Sequence, residues 1–204
     1  TLFNQDGESY ESSLTNVSRS VVSALPNRRV LSNAESPVIT TLVQGISRGD
    51  RMDYALQKAV ELGVNHIIPV YTARSGGRLD EKRKVRKLEH WKGIVQHASE
   101  QAGRNMVPTI DPIQELKENV LALVGANVYV LDPLSKTPLS KQKPSGNKIA
   151  IIAGPEGGFD GNEIHQMSLR YGATPVSLGP RTLRTETAAV CALSVIQALW
   201  GDLG

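Results

Sequence analysis

One cysteine, Cys191, stands in a chain of 204 residues, so an intramolecular disulfide is excluded. It lies in the apolar run Ala188 to Leu193 and reads as a small hydrophobe rather than a nucleophile. With no cysteine framework and no signal-peptide pattern, the expected compartment is a reducing cytoplasm. Aromatic residues are only 4%, so the core must be built from aliphatic side chains, and a hydrophobic content of 40% is enough to fill it. Long apolar runs are also missing. The longest, Ala188 to Trp200, is broken by Gln197 and has the length of a buried core helix, not a membrane span. The four histidines and one cysteine show no metal-ligand spacing, so no metal is expected. Neither G-x-x-x-x-G-K-[ST] nor G-x-G-x-x-G occurs, which argues against a P-loop and against a Rossmann dinucleotide site.

Charge excess is small, with a net charge of +3 and a pI near 9.0. Its distribution says more. Between Arg74 and Arg104 there are nine Lys or Arg against four Asp or Glu, a local balance of +5 that exceeds that of the whole chain. Such a run is either a solvated helix face or the footprint of a polyanion.

Two regions are expected. Residues 1–35 read as short strands: a turn at Asp6-Gly7, strands at Tyr10 to Val17 and Ser20 to Leu25, and a break at Pro26-Asn27. Asn33 to Pro37 reads as a linker. The chain opens at Thr1 inside a strand-like pattern, so this small β unit is expected to be incomplete. From residue 38 to 204 strands and helices alternate. Strands are expected at Val38 to Gln44, His66 to Tyr71, Asn127 to Leu131, Lys148 to Ala153 and Pro175 to Leu178. Helices are expected at Asp53 to Leu62, Lys82 to Ala102, Gln114 to Val124, Asn162 to Tyr171 and Thr187 to Trp200. Gly63 and Gly103 supply helix ends, and Asp160-x-x-Glu163 a capping box. The polar stretch Ser135 to Asn147 is expected to be a mobile loop. Alternating units of this kind make an α/β domain with a mainly parallel sheet, whose ligands bind at the carboxyl ends of the strands.

Three segments leave those ends. They are Leu131-Asp132-Pro133-Leu134, then Ala153-Gly154-Pro155-Glu156-Gly157-Gly158-Phe159, then Leu178-Gly179-Pro180-Arg181-Thr182-Leu183-Arg184-Thr185-Glu186-Thr187. Glycine lets backbone come close to a ligand and proline fixes the bend, so such loops can offer N–H and C=O groups to a planar ring. Any one Gly-Pro pair is most simply a tight turn. Three at one sheet edge favour a pocket.

These last two segments together resemble the knot of the SPOUT methyltransferases, and more narrowly the RsmE type. Gln57-Lys58-Ala59-x-Glu61-Leu62-Gly63-Val64, Trp91 through Glu100-Gln101-x-Gly103-Arg104, and Gly201-Asp202-Leu203-Gly204 agree with that type, so the resemblance runs from about residue 1 to the end. It implies a deep trefoil knot in residues 38–204, a rare exception to the no-knot rule. It implies that residues 1–35 are the remainder of a PUA-like RNA-binding β-barrel. It also implies a homodimer, S-adenosylmethionine as cofactor, and methylation of uridine N3 in small-subunit ribosomal RNA.

On that reading the cofactor is held by Leu131, Pro133, Ala153, Gly154, Glu156, Gly157, Leu178, Gly179, Leu183 and Thr185. Uridine N3–H is weakly acidic, so a cation beside O2 or O4 assists its loss. Arg184 is the first candidate and Arg181 the second, with a phosphate or structural contact as the plainer role. Glu186 is a candidate base or a partner for the sulfonium, and more plainly an acid in the first helical turn. Thr185 is most simply a helix cap, and Glu156 either binds ribose hydroxyls or braces Arg184. Arg74, Arg78, Lys82, Arg86 and Arg104 are expected to contact RNA phosphates, Arg104 first among them. His66 and His97 are read as packing or surface residues. Competing readings are a SPOUT enzyme acting on ribose 2′-O or a tRNA base, an RNA-binding module without catalysis, and, more remotely, another nucleotide-using α/β enzyme.

Overall fold

The computed structural model describes residues 1–4, 7–31, 34–116 and 123–204. Its centre is a seven-stranded sheet in which every neighbouring pair is parallel. The strands are β4 (Ile39–Gly45), β5 (His66–Tyr71), β6 (Thr109–Ile110), β7 (Gln114–Glu115), β8 (Asn127–Leu131), β9 (Lys148–Ala153) and β10 (Thr174–Val176). Their order is β10-β8-β9-β4-β5-β6, with β7 also on β5. The central strands are buried on both faces and read as nearly unbroken apolar runs for that reason. Side chains alternate between two cores. Leu42, Ile67, Ile149 and Ile151 pack with α1 (Asp50–Glu61), α2 (Glu81–Ala102) and α4 (Thr185–Trp200). Val43, Ile68, Ala150 and Ile152 pack on the other side against Met167 of α3 (Gly161–Tyr171).

Local chemistry sets the helix ends as expected in two places. Gly103 takes the left-handed conformation, φ 69°, after α2. Asp160 accepts from Glu163 N at 2.7 Å while Glu163 accepts from Asp160 N at 3.0 Å, completing the capping box of α3. Trp91, fully buried on α2, ties that helix to α1 through its Nε1–H, which donates to Asp53 at 3.1 Å.

Residues Leu2–Phe3 (β1), Ser9–Val17 (β2) and Val22–Val30 (β3) form a separate three-stranded antiparallel sheet. The break expected at Pro26-Asn27 is not there. β3 runs through it because a register shift opposite Glu11 and Ser12 absorbs the extra residue, a bulge that spares proline a ladder bond. Gly7 does take a turn conformation, φ 78°, whereas Asp6 lies outside the described residues.

Three further expectations are corrected. Gln114 does not start a helix: Gln114 and Glu115 pair with Val70 and Tyr71 as β7, and residues 117–122 of that stretch lie outside the described set. The stretch Ser135 to Asn147 is docked rather than mobile. Leu139 is buried in a short 3-10 turn, Leu139 N donates to Ser177 O at 3.0 Å and Ser177 N to Thr137 O at 2.9 Å, so the β8–β9 connection is laced to the strand end of β10. The segment before β4 is tied rather than a free linker, since Ser36 Oγ donates to Gln197 at 2.7 Å and Glu35 binds Arg104. Gln197, the polar residue that interrupts α4, is thereby explained: its other end donates to Leu62 O at 2.9 Å.

Candidate active site

The three loops converge. They line a cavity of about 620 Å³ at the carboxyl ends of β8, β9 and β10, a volume suited to a ligand of cofactor size. Leu131 and Pro133 come from the first loop, Gly154, Glu156 and Gly157 from the second, and Leu178, Gly179, Leu183 and Thr185 from the third. Arg181, Arg184 and Glu186 also face it. Ala153 does not. It is buried in the core at the end of β9, beside Gln44 of β4. A cleft of about 1260 Å³ between β1, β3 and α2 is larger. Size does not make it the site, because it gathers no comparable set of glycine loops and ionisable groups.

Close backbone approach explains the glycines. A Cβ on Gly154 would sit 3.2 Å from Gly158 Cα, and one on Gly157 would sit 2.9 Å from Arg74 Cβ. Gly45, at the end of β4, is tighter still, with Pro155 N and Cδ at 2.6 Å from such an atom. Gly158 and Gly179 have φ of 66° and 106°, where other residues are strained.

Thr185 is not the cap of α4; Arg184 occupies that position, without a side-chain cap bond. Thr185 is the first residue of the helix and is buried. Its hydroxyl donates to Gly154 O at 2.5 Å and accepts from Gln44 Nε2 at 3.1 Å. It thus staples the third loop to the second and both to β4. Gln44 is wholly buried, and sequence reasoning missed it. The available signal was a lone amide in the apolar strand Ile39–Gly45.

Glu156 is not a brace for Arg184. Its carboxylate accepts from Arg48 N and from Arg51 Nη1, both at 2.8 Å. Burial pushes its pKa up, but hydrogen bonds from the N–H groups of Arg48 and of Glu156 itself, and from Arg51, outweigh burial and hold it below its usual range. Glu186 keeps one carboxylate oxygen, Oε2, buried with no hydrogen-bond partner among the described residues. A buried acceptor of that kind is costly unless a ligand donates to it.

The residues expected to touch RNA separate. Lys82 and Arg86 are exposed on α2. Arg78 pairs with Glu115 and lies over the Tyr71 ring at 5.3 Å. Arg74 lines the cavity, its Nη1 donating to Gly157 O at 2.9 Å. Arg104 is withdrawn from this group. Only 3% exposed, it donates to both oxygens of Glu35 at 3.0 and 2.6 Å and to the carbonyls of Val60 and Val64 at 2.9 and 2.8 Å. Four committed hydrogen bonds in a buried setting leave a phosphate no access. His66 pairs with Asp111 at 2.8 Å and His97 is exposed on α2, both away from the cavity. Among the described residues no group of His, Cys, Asp and Glu is placed to hold a metal, and no helix is long and apolar enough to cross a membrane.

Comparison with known proteins agrees with this geometry. The family model for the RNA methyltransferase domain matches residues 34–197. Ribosomal RNA small subunit methyltransferase E of Bacillus subtilis is 33% identical over 201 residues, covering 94% of this chain and 78% of that protein. The crystal structure of the corresponding enzyme from Neisseria gonorrhoeae, bound to S-adenosyl methionine, superposes with a TM-score of 0.89 at 37% identity, covering 99% of this chain and 83% of that one. A putative methyltransferase from Legionella pneumophila with bound cofactor is similar at TM-score 0.85 and 40% identity, covering 98% and 83%. By the family model and these relatives, the chain belongs to the ribosomal RNA small subunit methyltransferase E family of RNA methyltransferases.

Proposed function

We propose that the protein transfers a methyl group from S-adenosylmethionine to N3 of a uridine in bacterial small-subunit ribosomal RNA. The observation that carries this reading is the single cavity that joins the three loops to Arg184 and Glu186. The chain's own groups fit the cofactor. Backbone of Gly154, Gly157 and Gly179 can come against a planar ring, Leu131, Leu178 and Leu183 offer apolar walls, and the unpartnered Glu186 Oε2 is an acceptor for a donor on the ligand. When bound, that cofactor supplies an electrophilic methyl on a sulfonium.

The protein's part is positioning and electrostatics. Thr185 and Gln44 fix Gly154 and the start of α4, which sets where Arg184 and Glu186 stand. A uridine taken out of its stack enters against them. Arg184 stabilises negative charge on the uracil oxygens as the N3 proton leaves, with Arg181 beside it or on the flanking phosphate. Glu186 accepts that proton or balances the positive charge at sulfur.

Further features belong to the same reading. The β8–β9 connection is hydrogen-bonded to Ser177, just after β10, and the strand order crosses over repeatedly, which supports a trefoil knot over residues 38–204. The sheet β1–β3 is read as part of a PUA-like barrel in residues 1–35 that helps bind RNA, together with Lys82 and Arg86. On α4, Leu199 is exposed and Cys191 and Val195 are only half-buried, which supports a homodimer through that helix. The expected setting is the cytoplasm, where ribosomal RNA is found.

Calorimetric titration with S-adenosylmethionine tests the site. Saturable binding is expected, abolished by Gly157→Val and largely kept by Arg184→Ala. Absence of binding by the intact protein would reject the methyltransferase reading in favour of an RNA-binding module.

A further inference from the structure

Three arginines crowd two consecutive residues of the second loop. Arg51, in the first turn of α1, donates to Glu156 Oε1 at 2.8 Å. Arg74, in the connection from β5 to α2, donates to Gly157 O at 2.9 Å, and both arginines line the cavity. Arg48 gives its backbone N–H to the same Glu156 oxygen and lays its side chain along Gly76, where a Cβ would meet its Nε at 3.1 Å. All three are exposed, and Arg51 and Arg74 bring their charges to the cavity mouth.

The local acids are mostly committed to other partners. Glu156 is used by Arg51 and Arg48. Glu163 spends one oxygen on Ala73 N at 2.7 Å and the other on its cap. Asp53 is taken by His90 and Trp91. Asp50, at the N-terminus of α1 where an acid suits the helix dipole, and Glu186, on the same cavity lining, also carry negative charge here. The guanidinium groups of Arg51 and Arg74 nevertheless keep unused N–H donors. Arg51 has spent one N–H on Glu156 and Arg74 one on Gly157. Each retains the paired donors that suit a phosphate. Their tethers also lower the entropy lost when an anion binds.

We propose that Arg51 and Arg74 form a clamp for a phosphate of the RNA strand next to the methylated nucleotide, with Glu156 as the positioning residue that aims Arg51. The clamp rests on the methyltransferase reading above and adds the register-setting contact to it. It also joins the cavity to the basic α2, since the Arg74 connection leads straight into that helix. Phosphate contacts fix the register of a nucleic acid without reading its sequence. A clamp at the mouth would thus decide which nucleotide reaches Arg184. The cofactor carboxylate is the competing anion.

The test compares wild type with Arg51→Ala, Arg74→Ala, Glu156→Gln and Lys58→Ala, the last a surface charge at the far end of α1. Three readouts are taken: the salt dependence of binding to a small-subunit rRNA fragment, KM for RNA against kcat, and cofactor affinity by calorimetry. Losing one phosphate contact should reduce the salt slope by about 0.7 for a single strand. KM for RNA should rise about tenfold in Arg51→Ala and Arg74→Ala, the scale of one charge-assisted bond. Cofactor affinity should stay within about twofold, and Arg51→Lys should recover part of the loss. Glu156→Gln should raise KM less than Arg51→Ala and leave the slope unchanged, because the arginine remains. The clamp is overturned if the slopes of the arginine variants match wild type, if Lys58→Ala lowers the slope equally, or if cofactor affinity falls while RNA binding holds. Failure of wild type to bind cofactor or methylate RNA would instead remove the reading beneath it.

Discussion

Replacing Arg104 with alanine removes a guanidinium that holds three segments together. It binds Glu35 ahead of β4 through two hydrogen bonds, and the carbonyls of Val60 and Val64 at and after the end of α1 through two more. The carboxylate of Glu35 is only 20% exposed, so truncation leaves it partly buried without its cation. Two carbonyls lose donors at the same time. Breaking one side of a buried pair costs about 3–5 kcal/mol. For a domain of this size that corresponds to a fall in Tm of roughly 10 °C. Urea denaturation of Arg104→Ala, Glu35→Gln and the double variant measures it. The double variant should cost less than the sum of the singles, because removing both partners leaves no orphan charge. RNA affinity of the folded Arg104→Ala protein should equal that of wild type. A loss of stability under about 1 kcal/mol together with weaker RNA binding would refute the structural assignment and return Arg104 to the RNA surface.

The staple at Thr185 is expected to act on the cofactor. Thr185→Val takes the hydroxyl donor from Gly154 O and one of the two acceptors from the Gln44 amide, so cofactor affinity should drop about tenfold and Thr185→Ser should restore it; equal affinity in both variants would count against the staple. Gly45→Ala forces an atom against Pro155 backbone, with no flexible neighbour to yield. It should destabilise the protein by about 1–3 kcal/mol and weaken cofactor binding, measured by denaturation and calorimetry. Glu156 gives a pH signature. Its folded pKa lies below the usual 4.5, so its contribution is present above that value and is lost as pH falls through the lower folded pKa. Denaturation midpoints of Glu156→Gln should therefore decline less steeply below about pH 4.5 than those of wild type; parallel curves would contradict the ion pair with Arg51.

Much of the α/β part was legible because its signals are local. The apolar strands β5, β8 and β9 were bounded as observed, and the glycines after α1 and α2 marked the helix ends. The three-loop pocket was legible too, since parallel topology sends strand ends to one edge. What failed depended on contacts distant in sequence. Nothing beside Arg104 announces Glu35, sixty-nine positions away, and basic surroundings made it look like a surface residue. Leu139 is one apolar residue in a polar stretch, yet it pins the β8–β9 connection against Ser177. The bulge that carries β3 through Pro26-Asn27 is a property of the pair of strands, not of either one. Glu156 was recognised as a carboxylate needing a partner, but Arg48 and Arg51 come from a different strand-helix unit over a hundred residues earlier.

The central claim is methyl transfer to uridine N3, and mapping the modified position tests it most directly. Small ribosomal subunits that lack the modification would be incubated with the protein and S-adenosylmethionine, and their rRNA read by primer extension and nucleoside mass spectrometry. One added methyl on a uridine, with a reverse-transcription stop at that site because the N3 pairing edge is blocked, is the predicted result, and Arg184→Ala should reduce it sharply while still binding cofactor. Methylation without a stop, on ribose or a tRNA base, or no methylation by a protein that binds cofactor and RNA, would contradict it.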